Sequence, residues 1–357
     1  MSGGVDSSVT AHILKKKGYN CIGIFLNFWS DTAGDKAGEN QNKCCSVSSM
    51  NTARRVAQKL NMPFYTFNVR DKFKKEVVDY FIDTYKVCMT PNPCVECNRH
   101  IKFGFLLKRM KQLGAEYIAT GHYARIKKVK SGYKLLVGKD KTKDQSYFLY
   151  TLTQEKLAHI LFPIGGKKKK QVKKYALING LSETTEKKES QGVCFFPEKN
   201  HEEFLKRHFP KQVLKNGPIE TTSGEKIGMH EGLQFFTVGQ RKGIEIGGEK
   251  EPWYVVRLDY KRNALVVGKN REVFQKKFTI HKLTFVSKEL PNGGYKLDTR
   301  IRYRARPEKA FVNKTGDTAE IEFVKPQRAI TPGQSVVFYK GDKVLGGGIV
   351  DKVAYNN

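Results

Sequence analysis

Three short runs rich in β-branched and aromatic residues, 21–26, 64–69 and 117–120, are separated by segments whose apolar residues recur at helical spacing. Phe73, Val77, Phe81 and Tyr85 make one such stripe; Ala53, Val56, Ala57 and Leu60 make another. Strands alternating with amphipathic helices bury both faces most simply as a parallel sheet with helical crossovers, so the first half of the chain reads as α/β. Beyond residue 200 the pattern changes. Short alternating runs at 253–258, 264–267, 278–285, 295–301, 318–323 and 335–339 lie between Gly, Asn and Asp turns, which predicts an all-β module closing as a small barrel. The 357 residues are therefore divided into a parallel-sheet domain at 1–199, a small central β-rich domain at 200–274 and a C-terminal β-barrel at 275–357. No internal repeat is visible.

Sixty-five basic residues against 35 acidic ones leave a formal charge of +30, which points to a polyanionic partner. Nucleic acid is favoured over a membrane, because no apolar run approaches the roughly 18 residues of a span and the first residues lack a signal pattern. A cytoplasmic protein is expected. Its seven cysteines, an odd number, read as thiols, metal ligands or redox catalysts rather than a disulfide scaffold. Residues 29–43, with Gly, Asp, Asn and Lys and no apolar period, read as a long loop of the kind that lids a site. The lysine-rich run 167–174 is either a solvated helix face or a surface that steers phosphates.

Ser2-Gly3-Gly4-Val5-Asp6-Ser7-Ser8 opens into a helix carrying Val9, Ile13 and Leu14 and ending near Gly18. Two glycines allow backbone amides to approach an anion, and the hydroxyls and helix N-terminus add donors, so the segment suits a phosphate. Asp6 would repel that phosphate unless Mg2+ lay between them. The plainer alternative is a loop and helix cap. The segment resembles the pyrophosphate-binding loop of the ATP pyrophosphatase (PP-loop, adenine nucleotide alpha hydrolase-like) superfamily. Those proteins place a strand before the loop, whereas this sequence starts on the motif, so the first strand of the expected sheet is missing. An empty interior slot would cost about 1 to 3 kcal/mol per unsatisfied buried group.

Cys94 and Cys97 stand three positions apart in Thr90-Pro91-Asn92-Pro93-Cys94-Val95-Glu96-Cys97-Asn98, ahead of a helix containing Ile101, Phe105 and Leu106. A helix N-terminus favours thiolate, the nucleophilic and metal-binding form. Cys194, in Ser190-Gln191-Gly192-Val193-Cys194-Phe195-Phe196, could bring a third sulfur to the same place. A single C-x2-C without a second pair argues against a closed tetrahedral zinc site. Cys21 reads as packing, Cys44 and Cys45 as incidental thiols near a helix start, and Cys88 carries no reading.

Taken together, the glycine loop, Asn92 to Asn98, Ala119-Thr120-Gly121-His122-Tyr123-Ala124-Arg125, Lys143-Asp144-Gln145-Ser146-Tyr147-Phe148-Leu149, Ser190 to Phe195 and Thr237-Val238-Gly239-Gln240-Arg241-Lys242-Gly243 resemble the tRNA-specific 2-thiouridylase family nearly end to end. The resemblance implies an ATP-dependent enzyme that replaces the C2 oxygen of the wobble uridine by sulfur in tRNAs of the Glu, Gln and Lys type. It implies Cys97 and Cys194 as catalytic residues: a persulfide on Cys194, delivered by a cysteine desulfurase or sulfur-relay protein, is resolved through a disulfide with Cys97. It places ATP at Ser2, Gly3, Gly4, Val5, Asp6, Ser7, Leu26 and Gly121, with Mg2+ at Asp6. Target-base contacts fall on Asn92, Pro93 and Cys94, and tRNA contacts on His122, Lys143, Asp144, Gln145, Arg302, Tyr303 and Gln334. His122 also reads as an ordinary hydrogen-bonded residue at a strand end.

In the better-known pattern of that family position 94 is Asp; Cys94 makes acid-base work there doubtful and opens a [4Fe-4S] cluster on Cys94, Cys97 and Cys194 as an alternative. Lys86-Val87-Cys88-Met89 also lacks the usual Gly-Arg. The rival readings are an ATP-dependent synthetase of the same superfamily acting on a small molecule, and a non-catalytic RNA-binding protein.

Overall fold

A computed structural model describes residues 1–31, 46–185, 192–196, 201–244, 246, 251–287 and 290–355. Most of the expected loop 29–43, together with Cys44, Cys45, Ser190 and Gln191, lies outside the described residues. The chain forms two units, one of Met1–Val78, Pro93–Lys199 and Asp342–Leu345, the other of Asp79–Asn92, Asn200–Gly341 and Gly346–Asn357.

In the first unit the glycine loop leads into helix α1 (Val5–Lys16), followed by strand β1 (Gly23–Asn27), helix α2 (Val47–Lys59) and strand β2 (Phe64–Asn68). β1 and β2 pair in parallel, Gly23 opposite Phe64 and Asn27 opposite Asn68, with α2 as their crossover. Ser46 starts α2 by accepting a 3.1 Å hydrogen bond from the Ser49 amide. Val9 and Ile13 of α1 pack with Val56 of α2 and with Tyr123, Ile164, Val172 and Ala176, which closes the core beneath the loop. A second parallel pair joins β3 (Ile118–Ala119) to β6 (Ile160–Leu161). Between them runs an antiparallel hairpin, β4 (Ala124–Val129) and β5 (Gly132–Val137), which the sequence reading did not predict. β4 carries Arg125, Lys127 and Lys128 and β5 carries Lys134, and burial falls on Ala124, Leu135 and Val137 alone.

The expected single sheet is therefore two separate parallel pairs among the described residues. Met1 lies against β1, its amine donating to the Ile24 carbonyl. Although the residue as a whole is half-buried, the amine is desolvated, and burial lowers its pKa from 8.0 to about 5. In a polypeptide whose first residue is Met1, the unfolded state binds a proton between about pH 5 and 8 that the folded state refuses. Stability is then complete above pH 8 and falls, by up to about 4 kcal/mol, as pH drops toward 5. Urea unfolding from pH 5 to 9 should show this slope, and the same chain acetylated at Met1 should lack it; equal slopes would assign the effect to other groups.

The stripe Phe73, Val77, Phe81 and Tyr85 is helical as expected, but the turns are uneven: Arg70–Phe73 and Tyr80–Lys86 flank a wider π-type stretch, Lys74–Asp79. Phe73 and Val77 are core residues of the first unit, whereas Phe81 and Tyr85 serve the second. There Phe81 meets Phe204 edge-on at 5.8 Å and Tyr85 stacks on His201 at 4.5 Å.

The second unit contains two β structures. Strands β7 (Gly217–Thr221), β8 (Lys226–His230), β9 (Tyr254–Asp259) and β10 (Ala264–Gly268) form a sheet in the order β8-β7-β10-β9. Strands β11 (Phe274–Phe285), β12 (Gly293–Arg300), β13 (Glu308–Thr315), β14 (Thr318–Arg328), β15 (Ser335–Lys340) and β16 (Lys343–Val353) run in the order β11-β14-β13-β12-β15-β16, and β11 pairs back onto β16. That closure is the expected C-terminal barrel, which removes the edges an open sheet would expose. Its last seam requires glycine: a Cβ on Gly346 would lie 2.2 Å from the Thr284 carbonyl oxygen, and one on Gly348 would lie 2.9 Å from that of His281. Among the described residues no helix is long and apolar enough to cross a membrane.

Candidate active site

The glycine loop is held from below by α2 and from the side by the turn after β3. Gly3 takes a left-handed φ of +69°, and a Cβ there would sit 2.3 Å from the Ser49 carbonyl oxygen, so only glycine lets the loop rest on the first turn of α2. Gly4 caps α1 without a side chain, and the Ser7 and Ser8 hydroxyls both donate to its carbonyl, at 3.0 and 3.1 Å. Gly121 completes the enclosure: its Cβ would lie 2.8 to 3.0 Å from Asp6 and the Ser7 amide. Ser2 to Ser7 and Gly121 are thus brought together around one helix N-terminus, an arrangement suited to phosphate. Leu26 stands half-buried in β1, opposite Phe67.

Asp6 does not face solvent alone. One of its oxygens accepts from the Tyr123 hydroxyl at 2.7 Å, and the Lys169 ammonium approaches both, at 2.8 and 2.7 Å. The carboxylate is still about one-third exposed and lies beside the loop, so it fits a magnesium ion arriving with a nucleotide, provided that ion displaces the ammonium.

Pro93 begins a short helical turn, Pro93–Glu96, where its missing amide costs nothing, and a π-type stretch, Cys97–Phe105, follows. Cys94 is exposed, whereas Cys97 is buried at 8% exposure between the buried Val95 and Ile101 positions of the same segment. Asn98 anchors the stretch by donating 3.1 Å to the Phe148 carbonyl. Cys194 is half-buried; the next residue, Phe195, is locked in the core edge-on to Phe73 at 5.9 Å and accepts at its carbonyl from the Asp31 amide. Cys94, Cys97 and Cys194 lie in the same unit, yet among the described residues no three His, Cys, Asp or Glu side chains converge as metal ligands. The [4Fe-4S] alternative on Cys94, Cys97 and Cys194 therefore has no preformed ligand group among the described residues. Burial drives the Cys88 thiol up to about 12, which removes it from thiolate chemistry.

Several residues expected at the tRNA are engaged inside the protein. His122 is buried between Phe103 and Phe162, its Nδ1 2.6 Å from the Thr120 hydroxyl, and desolvation keeps the ring neutral, well below its ordinary pKa. Asp144, also buried, accepts from the Gly138 and Ser146 amides and from the Ser146 hydroxyl. Gln145 accepts from the Tyr123 amide at 3.0 Å. Lys143 stays half-exposed on that loop. The His122 and Gln145 side chains hold the turn around Gly121, and that of Asp144 holds the loop from Gly138 to Ser146.

In the second unit Arg302 donates to the carbonyls of Val238 and Ala329 and to the Thr331 hydroxyl, at 3.2, 2.6 and 2.9 Å, while Tyr303 beside it is half-buried. Gln334 donates to the carbonyls of Thr90 and Pro91, and Asn92 donates to Ser335 at 3.4 Å. The turn ahead of Pro93 is therefore moulded onto the loop between β14 and β15.

Lys169 and Tyr123 were overlooked in the sequence as site residues. The signal was present for the lysine: it shares the helix stripe of Val172 and Ala176, three and seven positions on, whereas its neighbours in the basic run point outward.

Comparison with known proteins agrees with this geometry. Three family profiles match in succession: the tRNA methyl transferase HUP domain over residues 1–198, the tRNA methyl transferase PRC-barrel domain over 202–269 and the aminomethyltransferase beta-barrel domain over 275–350. Among curated relatives, the tRNA-specific 2-thiouridylase MnmA of Moorella thermoacetica is 46% identical, with 99% of each chain covered. Those of Clostridioides difficile and Listeria innocua are 43% and 44% identical over 99% of this chain and 97% and 94% of their own. With such identity along its whole length, the chain belongs to the tRNA-specific 2-thiouridylase family.

Proposed function

We propose that the protein uses ATP to replace the C2 oxygen of the wobble uridine of tRNA by sulfur, releasing AMP and pyrophosphate. The observation that carries this reading is the phosphate loop, closed by Ser49 and Gly121, in the same folded unit as Cys97 and Cys194. A uracil carbonyl cannot lose oxide, but once adenylated its oxygen leaves as AMP. Asp6 is the carboxylate for Mg2+ accompanying ATP. Cys194 carries a persulfide supplied by a cysteine desulfurase or relay protein; its terminal sulfur attacks C2 and expels AMP. Cys97 thiolate then attacks the Cys194 sulfur, the bond to the transferred sulfur breaks, and the base departs as the thiocarbonyl. The resulting Cys97–Cys194 disulfide needs an external two-electron reductant to be reset. The charge of +30 supports tRNA as partner, and a wobble base in a single-stranded loop is cheap to extrude. Anticodons of the Glu, Gln and Lys type are the proposed substrates.

Incubation with ATP, Mg2+, a persulfide donor and such a tRNA is expected to give product retarded in a mercury-containing gel. Unmodified tRNA from protein that still binds ATP would overturn the reading.

A further inference from the structure

Among the lysines of the run 167–174, Lys169 alone is buried, at 9% exposure; Lys167 is half-buried and the others are exposed. Its ammonium lies 2.7 and 2.8 Å from the Asp6 oxygens and 5.7 Å from the centroid of the Tyr123 ring. Buried lysines are rare and persist only when paired, and this one is paired to a carboxylate inside a phosphate loop. There the two charges neutralise each other. A triphosphate arriving with a divalent cation offers each a stronger partner, the cation for the carboxylate and phosphate oxygens for the ammonium. The helix Lys169–Ile178 keeps that ammonium aimed at the loop, because Val172 and Ala176 on the same stripe are fixed in the core with Val9 and Ile13 of α1.

We propose that Lys169 is a pyrophosphate-binding residue of this site, its ammonium exchanging Asp6 for the ATP oxygens that depart as pyrophosphate. The inference rests on the reading that the glycine loop binds ATP. It separates Lys169 from the exposed lysines of the run.

The test is calorimetric titration with inorganic pyrophosphate and with AMP, in EDTA, of the full chain and its variants. Lys169→Met is expected to weaken pyrophosphate binding by about 30-fold or more and AMP binding by less than about 3-fold, while Lys169→Arg stays within about 5-fold of the parent for both. A purely structural lysine would act only by neutralising Asp6. The double variant Asp6→Asn/Lys169→Met removes that need, leaves no unpaired buried charge and so keeps the fold even where Lys169→Met does not. It should remain about 10-fold or more weaker for pyrophosphate. Recovery of the double variant to within about 3-fold of the parent, or no pyrophosphate binding by the parent either in EDTA or in excess Mg2+, overturns the proposal. Recovery in a protein that thiolates tRNA would sink this inference alone. Lysine-dependent pyrophosphate binding by a protein that never thiolates tRNA would sink the activity alone.

Discussion

Cys194→Ser is expected to lower 2-thiouridine formation by about 10³-fold or more, because a hydroxyl cannot carry the sulfane sulfur and no other group substitutes for a covalent carrier. The substitution is nearly isosteric at a half-buried position, and the segment is anchored by Phe195, so melting temperature and ATP affinity should be unchanged. Cys97→Ser should fail differently. Attack on the adenylate can still occur, leaving the uridine joined to Cys194 through a disulfide that nothing resolves. A tRNA–protein adduct released by dithiothreitol is therefore expected in Cys97→Ser and not in Cys194→Ser. It would be visible as a shifted band in a denaturing non-reducing gel. Normal thiolation by Cys194→Ser, or adducts in neither variant alongside full loss of product, would remove the persulfide route.

Gly3→Ala carries the second large effect. The new methyl would meet the Ser49 carbonyl oxygen at 2.3 Å, and the left-handed φ adds about 1 kcal/mol of strain for any L side chain. The loop can relieve the clash only by lifting off α2, and a displacement of about 1 Å at a reacting site commonly costs about 100-fold. ATP affinity, measured by equilibrium titration, should fall by that order. Gly121→Ala should act likewise, since its methyl would press on Asp6 and the Ser7 amide. Gly4→Ala is the control: its Cβ meets only the Ser2 hydroxyl, at 3.6 Å, an ordinary contact. Equal losses in Gly3→Ala and Gly4→Ala would mean that the loop's fit against α2 is irrelevant to nucleotide binding.

What could be read in advance followed the strength of local patterns. β1, β2 and β3 were legible because their apolar residues are contiguous, and the glycine loop because few uses exist for two glycines before a helix. β13 was missed because its inward face holds Lys314 beside Ala310 and Val312 while Phe311 points outward, so the alternation does not separate apolar from polar residues. β16 was missed for the opposite reason: Gly346, Gly347 and Gly348 look like a turn until the partner strand that demands them is known. The roles of Asp144 and His122 were likewise invisible, because a polar residue in a short motif gives no hint whether it turns to RNA or to its own backbone. Lys169 was hidden by its neighbours, in a run where only helical phase distinguishes one ammonium from the next.

The glycine seam bears on the order in which the second unit assembles. β11 and β16 pair residues about 60 to 75 positions apart, Phe278 with Val353 among them, whereas β12, β13 and β14 are joined by short connections. Long-range pairing has the larger chain entropy to overcome, so the meander is expected to nucleate first and the seam to zip last. Mutations at Gly346 should then hasten unfolding while scarcely slowing refolding.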